Sequence, residues 1–147
     1  MGDFERLRNW LATCPALRDM PGGQHVDWAD PNPGNYGIMP TGSTTIETLE
    51  DVVGGVIERR QYNIAIYAVG WTVDDVLRAD NIGLVDGVQQ WVAQQQWQGL
   101  APKLGDDPDQ EYISAANGML YQLSENGQTG LYQIQVTATY ERHYTRE

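Results

Sequence analysis

Apolar and polar positions alternate most clearly in the last third of the chain. From Leu131 to Tyr144, one side of an extended chain would carry Tyr132, Ile134, Val136, Ala138 and Tyr140, and the other Gln133, Gln135, Thr137, Thr139 and Glu141. A period of two is typical of a strand with one buried face. A second strand is predicted over about Glu111 to Leu123. The connecting SENGQTG contains Asn-Gly, a strong hairpin signal, so these two strands should form a hairpin.

A third long strand is predicted from Val56 to Val69, with Gly70 ending it. Its apolar side carries Tyr62, Ile64, Ile66 and Ala68, and the opposite side carries Gln61, Asn63, Ala65 and Tyr67. The region before it, residues 20–43, is rich in turn formers. Only short extended segments are predicted there and just beyond, at residues 25–29, 36–39 and 46–49.

Apolar positions spaced three and four residues apart predict two helices. The first covers Asp3 to Thr13, with Asp3 as its cap, Pro15 as its stop and Cys14 on its core stripe. The second is capped by Thr72 and Asp74 and runs to about Gln96. Its expected buried face is Val73, Val76, Leu77, Leu84, Val88, Trp91, Val92 and Gln95. Glycines in the middle predict a break near Asn81, and the glutamine run at residues 89–96 is expected to be mostly solvated surface.

The order of these elements predicts an α+β fold with a mainly antiparallel sheet and two main helices packed on one face. The sequence contains no linker and no internal repeat. Residues 1–147 are therefore expected to form a single domain.

The net charge of the chain argues against two classes of binding protein. Nine basic and twenty acidic side chains give a net charge of −11. Specific nucleic-acid binding and docking on anionic membranes are therefore not expected. No apolar run approaches the roughly 20 residues of a membrane span. A single cysteine excludes an internal disulfide, so the protein is expected to be made and used in a cytoplasm, or packed into something assembled there.

The sequence contains no recognisable catalytic, cofactor-binding or metal-binding motif. His25 and His143 have no metal-site spacing, and the acidic run at residues 106–111 lacks the glycine and the trailing glutamate of a calcium loop. No nucleophile elbow or phosphate loop is present. An enzyme is therefore not expected. With twenty acids, a carboxylate pair in a small hydrolase or ligand-binding domain stays an open alternative.

Two features remain as candidates for a subunit or partner interface. Arg59 and Arg60 either balance local acids or anchor an acidic neighbour. The polar sheet side with Gln61, Asn63, Gln133, Gln135 and Thr137 either faces solvent or is covered by a neighbouring subunit. Since tyrosine and tryptophan are common at interfaces, the full candidate set is Arg59, Arg60, Gln61, Tyr62, Trp28 and Tyr36.

Several segments together resemble the minor capsid or tail-terminator proteins of tailed bacteriophages and of prophages of Gram-positive bacteria. They are LRNWLATCP, NYGIMPTG, RRQYNIAIYA, WVAQQQ and LYQIQVTATYERH, and the resemblance covers almost the whole chain. It implies a tail-terminator-like α+β domain that assembles as a ring, usually six-fold. Such a ring caps the tail tube, stops its growth and joins it to the head-side connector, without enzymatic activity or cofactor.

The implied partners are other copies of the chain, the major tail-tube protein and the head–tail connector protein, with the tape-measure protein as a further candidate. The implied location is the head-proximal end of the phage tail, after assembly in the cytoplasm of the host bacterium. DNA would pass through the ring without sequence-specific binding, and the net charge of −11 would keep the wall from gripping it. Another head–tail joining or minor capsid role on a similar fold is the alternative.

Overall fold

A computed structural model describes residues 2–145 of the chain. The helices are α1 (Asp3–Leu11), α2 (Pro15–Arg18) and α3 (Asp75–Trp97). The strands are β1 (Gln24–Val26), β2 (Asn35–Glu50), β3 (Gly55–Trp71), β4 (Tyr112–Leu123) and β5 (Thr129–Thr145). A 3-10 turn covers Pro108–Gln110.

The strands form one five-stranded sheet in the order β1-β2-β3-β5-β4. Only β1 and β2 run parallel, and every other neighbouring pair is antiparallel. The helices pack on this sheet, so the α+β prediction is confirmed. Strand β3 pairs with β5 along its full length, from Gly55 opposite Thr145 to Trp71 opposite Thr129. The predicted hairpin of β4 and β5 is also present.

The core lies between the helices and one face of the sheet. The predicted inward residues of β3 and β5 are buried there, including Ile64, Ile66, Ile134 and Val136. Cys14 is fully buried among them, as the sequence predicted. Within residues 2–145, no helix is both long and apolar enough to cross a membrane.

The first helix differs from its prediction. It ends at Leu11, and Pro15 begins the short helix α2, because proline suits the first helical position. Asp3 is not the cap. Its carboxylate instead accepts hydrogen bonds from the Tyr140 hydroxyl at 2.9 Å and from Arg142 Nη2 at 2.8 Å. The start of α1 is thereby tied to the end of β5.

Strand β2 is longer than predicted, since one 16-residue strand replaces separate short segments at residues 36–39 and 46–49. Its pairing with β3 shifts register between Pro40 and Gly42 and again between Thr45 and Glu47. Register shifts are where strands tolerate proline and glycine. All residues from Pro40 to Glu50 are exposed, so this half of β2 has no buried side to create a period of two.

Helix α3 is continuous, and the predicted break near Asn81 is wrong. Asp74 caps it as predicted, because its carboxylate accepts the Leu77 N–H at 2.9 Å. The predicted buried face is wrong at its N-terminal end, because Val73, which precedes the helix, and Val76 are 55% and 70% exposed. The buried residues of the helix are Val85, Val88 and Val92.

Three glutamines of the run that was expected to be mostly solvated connect α3 to its neighbours, and one of them, Gln95, was predicted on the buried face. Gln89 Oε1 accepts the Gly118 N–H at 2.6 Å, and Gln96 Oε1 accepts the Ile113 N–H at 2.9 Å. Gln95 Oε1 accepts the indole N–H of a tryptophan of α1 at 3.0 Å. Helix α3 is therefore joined to β4 and to α1 by side-chain hydrogen bonds.

Candidate subunit-interaction surfaces

The hairpin of β2 and β3 extends past the core. We call residues 43–60, which comprise the end of β2, the turn and the start of β3, the hairpin arm. All residues of its β2 half are exposed, and those of its β3 half are half-buried because β5 pairs alongside them. The arm is therefore a part of the sheet that lies largely outside the packed layer of helices.

The tip of the arm exposes four aliphatic side chains, interleaved with the acidic residues Glu47, Glu50 and Asp51. Val52 and Val53 are 103% and 85% exposed, and Ile46 and Leu49 are each about half exposed. The turn is well organised, because the Asp51 carboxylate accepts the N–H groups of Val53 at 3.0 Å and Gly55 at 2.7 Å. We call Ile46, Leu49, Val52 and Val53 the arm tip. None of the predicted interface residues belongs to this set, although two valines beside Gly-Gly are a signal for an exposed apolar turn.

Arg59 and Arg60 lie on opposite faces of the arm and are both paired within the chain. Arg59 Nη1 lies 3.3 Å from the Glu141 carboxylate, and Arg60 Nη1 lies 2.8 Å from the Glu58 carboxylate. The hydrogen bond from Arg60 lowers the pKa of Glu58. The arrangement matches the interpretation that these arginines balance local acids. Their role as an anchor for a neighbour stays a prediction.

The other candidate interface residues are dispersed. Gln61 donates to Asn63 Oδ1 at 3.1 Å, and Tyr62 packs partly buried against the core. Trp28 is 52% exposed and follows the edge strand β1, with its ring 4.0 Å from the His25 ring between centroids. Tyr36 is only 2% exposed, so it belongs to the core and offers no surface to a partner. Its hydroxyl accepts a hydrogen bond from an amide of β1. The six residues therefore do not form one patch.

The polar side of the sheet is hydrogen-bonded to itself. Asn63 Oδ1 accepts from the side chains of both Gln61 and Thr137, at 3.1 and 3.2 Å. Gln133 Nε2 donates to the Tyr67 hydroxyl at 3.3 Å. This ladder runs along β3 and β5 on the face opposite the helices. Whether solvent or a neighbouring subunit covers it stays open.

An apolar groove follows on the same face, towards the Trp71 end of β3. It has a volume of about 280 Å³ and is lined by Ala29, Met39, Tyr67, Tyr121 and Leu131. We call this set the aromatic groove. The rings of Tyr67 and Tyr121 are 5.3 Å apart between centroids, and burial raises the pKa of Tyr67. A second cavity of about 230 Å³ shares Ala29 and Leu131 with it.

The wall of the groove is a loop held close to the sheet. The Trp28 carbonyl lies over Gly37, where an added Cβ would collide with it. Asn35 is buried and orders the loop, because its side chain accepts the Asp30 N–H at 2.9 Å and donates to the Asp30 carbonyl at 2.8 Å. Since the groove unites residues 29, 39, 67, 121 and 131, no local sequence pattern predicted it.

A third cavity, of about 390 Å³, lies at the start of α3. Asp19, Asp80 and Asn81 line it together with apolar residues that include Trp71 and Leu84. Its mixed lining distinguishes it from the aromatic groove.

The acidic run near residue 110 shapes a loop. The Glu111 carboxylate accepts the N–H groups of Leu104 at 2.6 Å and Gly105 at 3.1 Å, and Asp106 accepts the His143 N–H at 2.8 Å. No group of three or more His, Cys, Asp or Glu within residues 2–145 is placed to hold a metal ion. Burial raises the pKa of the Cys14 thiol, which keeps it protonated.

Comparison with known proteins adds no family assignment. No protein-family model matches the chain, and no curated protein matches it either.

Proposed function

We propose that this chain is a structural subunit that assembles with copies of itself into a closed ring. Following the resemblance of its sequence segments, we propose further that the ring is a phage tail terminator. It would cap the tail tube, stop its growth and bind the head-side connector. The observation that supports self-assembly best is the apolar arm tip projecting at one end of the sheet.

Two different apolar surfaces on one chain permit the repeated contact that a ring requires. Strand β3 has 17 residues and spans roughly 55 Å. The arm tip lies beside its first residues, and the aromatic groove lies towards its last ones. When each pair of subunits makes the tip-to-groove contact once, the contact is head-to-tail and closes into a ring if the rotation between subunits permits it, whereas a two-fold dimer would make the contact twice.

The charge supports a role beside DNA without specific binding. Each subunit carries a net charge of −11, so six copies would concentrate negative charge around a central hole. Phosphates gain no counterion-release attraction from such a wall. DNA would therefore pass the ring without being held.

The test is to purify the full chain and measure its mass by size-exclusion chromatography with light scattering. The measurement is repeated with the tail-tube protein of the phage that encodes this chain. Negative-stain images should show rings, and tubes assembled with the protein should end in a ring and stop lengthening. A protein that stays monomeric and leaves tube length unchanged would contradict the proposal. A ring that binds the connector but no tube would leave the assembly role intact and overturn the terminator role.

A further inference from the structure

We infer that the arm tip of one copy inserts into the aromatic groove of the next copy. The inference rests on the proposed self-assembly and deepens it, because it names the two surfaces that meet. A chain that carries both surfaces can repeat the contact from copy to copy.

The arm tip has the properties of an inserted element. Val52 and Val53 are adjacent in the turn and almost fully exposed, and together with Ile46 and Leu49 they expose on the order of 400 Å² of apolar side-chain area. That area is about half of the roughly 800 Å² that each partner buries in a standard interface. The turn is already ordered by Asp51, so insertion would cost little further ordering.

The groove matches the tip in size and polarity. Apolar cavities of about 150 Å³ accommodate a benzene molecule. A groove of about 280 Å³ therefore has room for the side chains of Val52 and Val53. The five residues that line it carry no charge. Tyr121, one of the lining residues, is 57% exposed and would contribute area to the contact.

The acidic cavity at the start of α3 suits the tip less well. Inserted valines would remove water from Asp19 and Asp80 without offering them a hydrogen bond, which is unfavourable. A symmetric contact between two arm tips would leave both aromatic grooves exposed. The net charge of −11 argues against a nucleic acid or an anionic lipid as the occupant. A second copy of the chain is the occupant that satisfies both surfaces.

Cysteine cross-linking tests the contact directly. The native Cys14 is fully buried, so background cross-linking should be low. A tip variant (Val53→Cys) is mixed with a groove variant (Tyr121→Cys) under mild oxidation, and a Val53→Cys and Val73→Cys mixture is the control. We expect a disulfide-linked heterodimer only in the first mixture, and a ladder of multimers from a chain that carries both Val53→Cys and Tyr121→Cys.

Charge substitutions give a second, independent measurement by analytical ultracentrifugation. Val53→Asp should raise the apparent dissociation constant by roughly 30-fold or more, as expected for a residue at the centre of an interface. Val73→Asp, at another exposed valine, should change it by less than about threefold. Neither valine belongs to the core, so both variants should keep the far-ultraviolet circular dichroism of the parent.

Several outcomes would overturn the inference. They are cross-links in the control mixture at the same yield, disulfides formed by Val53→Cys alone, equal weakening by both aspartates, and a parent protein that stays monomeric at high salt. Rings that assemble while the tip and groove cysteines form no disulfide would refute the tip-to-groove contact but not the proposed ring. Multimers that are cross-linked from tip to groove, but that form no closed ring and cap no tail tube, would support the contact and refute the proposed function.

Discussion

The hydrogen bond between Gln89 and Gly118 offers a direct test of how α3 holds β4. Gly118 lies at the register shift between Ala116 and Met119, and its N–H donates to Gln89 Oε1 at 2.6 Å. Replacing Gln89 by alanine removes the acceptor and leaves the donor. Leaving a buried donor without a partner costs about 1–3 kcal/mol, and because Gly118 is only half-buried we expect the lower part of that range, about 1–2 kcal/mol.

Gln90→Ala is the matched control. Gln90 is the next residue of the same helix and is exposed, so its replacement should change the free energy of unfolding by less than about 0.5 kcal/mol. Both variants gain the same small helix-propensity benefit of alanine, which cancels in the comparison. Urea unfolding followed by circular dichroism measures the difference, and Tm should fall by about 2–4 °C per kcal/mol. Equal stabilities of the two variants would refute the structural role assigned to Gln89.

Two further predictions concern close packing and ionisation. Gly37→Ala should destabilise the protein by more than about 1 kcal/mol, because its Cβ would collide with the Trp28 carbonyl, whereas Gly83→Ala, with open space in the middle of α3, should stabilise it by about 0.5–1 kcal/mol. Thermal unfolding compares the Tm of the two variants, and a higher Tm for Gly37→Ala than for Gly83→Ala would contradict the close packing of Gly37 against the Trp28 carbonyl. Burial, and after it the hydrogen bond to Asp3, raise the pKa of Tyr140 in the folded protein. The contribution of this hydroxyl to stability is therefore complete below its unfolded pKa of about 10 and is lost as the pH rises through its folded pKa. The free energy of unfolding of Tyr140→Phe should therefore fall less steeply with alkaline pH than that of the parent. Equal pH slopes for the two proteins would show that the pKa of Tyr140 is not raised in the fold.

The sequence predicted the elements that have one buried face. Strands β3 and β5 alternate because their inward residues pair in register, with Ile64 opposite Val136 and Ile66 opposite Ile134. Both sets face the same core, so the pattern that each creates is strong. The outer half of β2 has no buried face, and its extent depends on pairing with β3, which local patterns do not encode.

Errors in the helices have a similar origin. Val73 precedes α3 and Val76 lies in its first turn, and both apolar residues are exposed despite their helical spacing. The glutamines are polar by composition, yet Gln89 and Gln96 meet N–H groups of β4 that the strand ladder does not satisfy. Tertiary contacts decide both cases.

The candidate surfaces could be predicted only in part. Paired arginines were visible in the sequence, but their partners differ in separation: Glu58 is two residues from Arg60, whereas Glu141 reaches Arg59 only because β5 pairs with β3. Tyr36 was assigned to an interface by residue type, and its burial against the core overrides that choice.

The central claim is that the chain assembles with itself into a closed ring. The most direct measurement is the mass distribution of the purified full chain, by mass photometry over a range of concentrations and salt. Because subunits of charge −11 repel one another, we expect a single closed oligomer that becomes more populated as salt screens this repulsion, visible as rings by electron microscopy. A monomer at every concentration and salt tested, or open-ended polymers without a defined size, would contradict it.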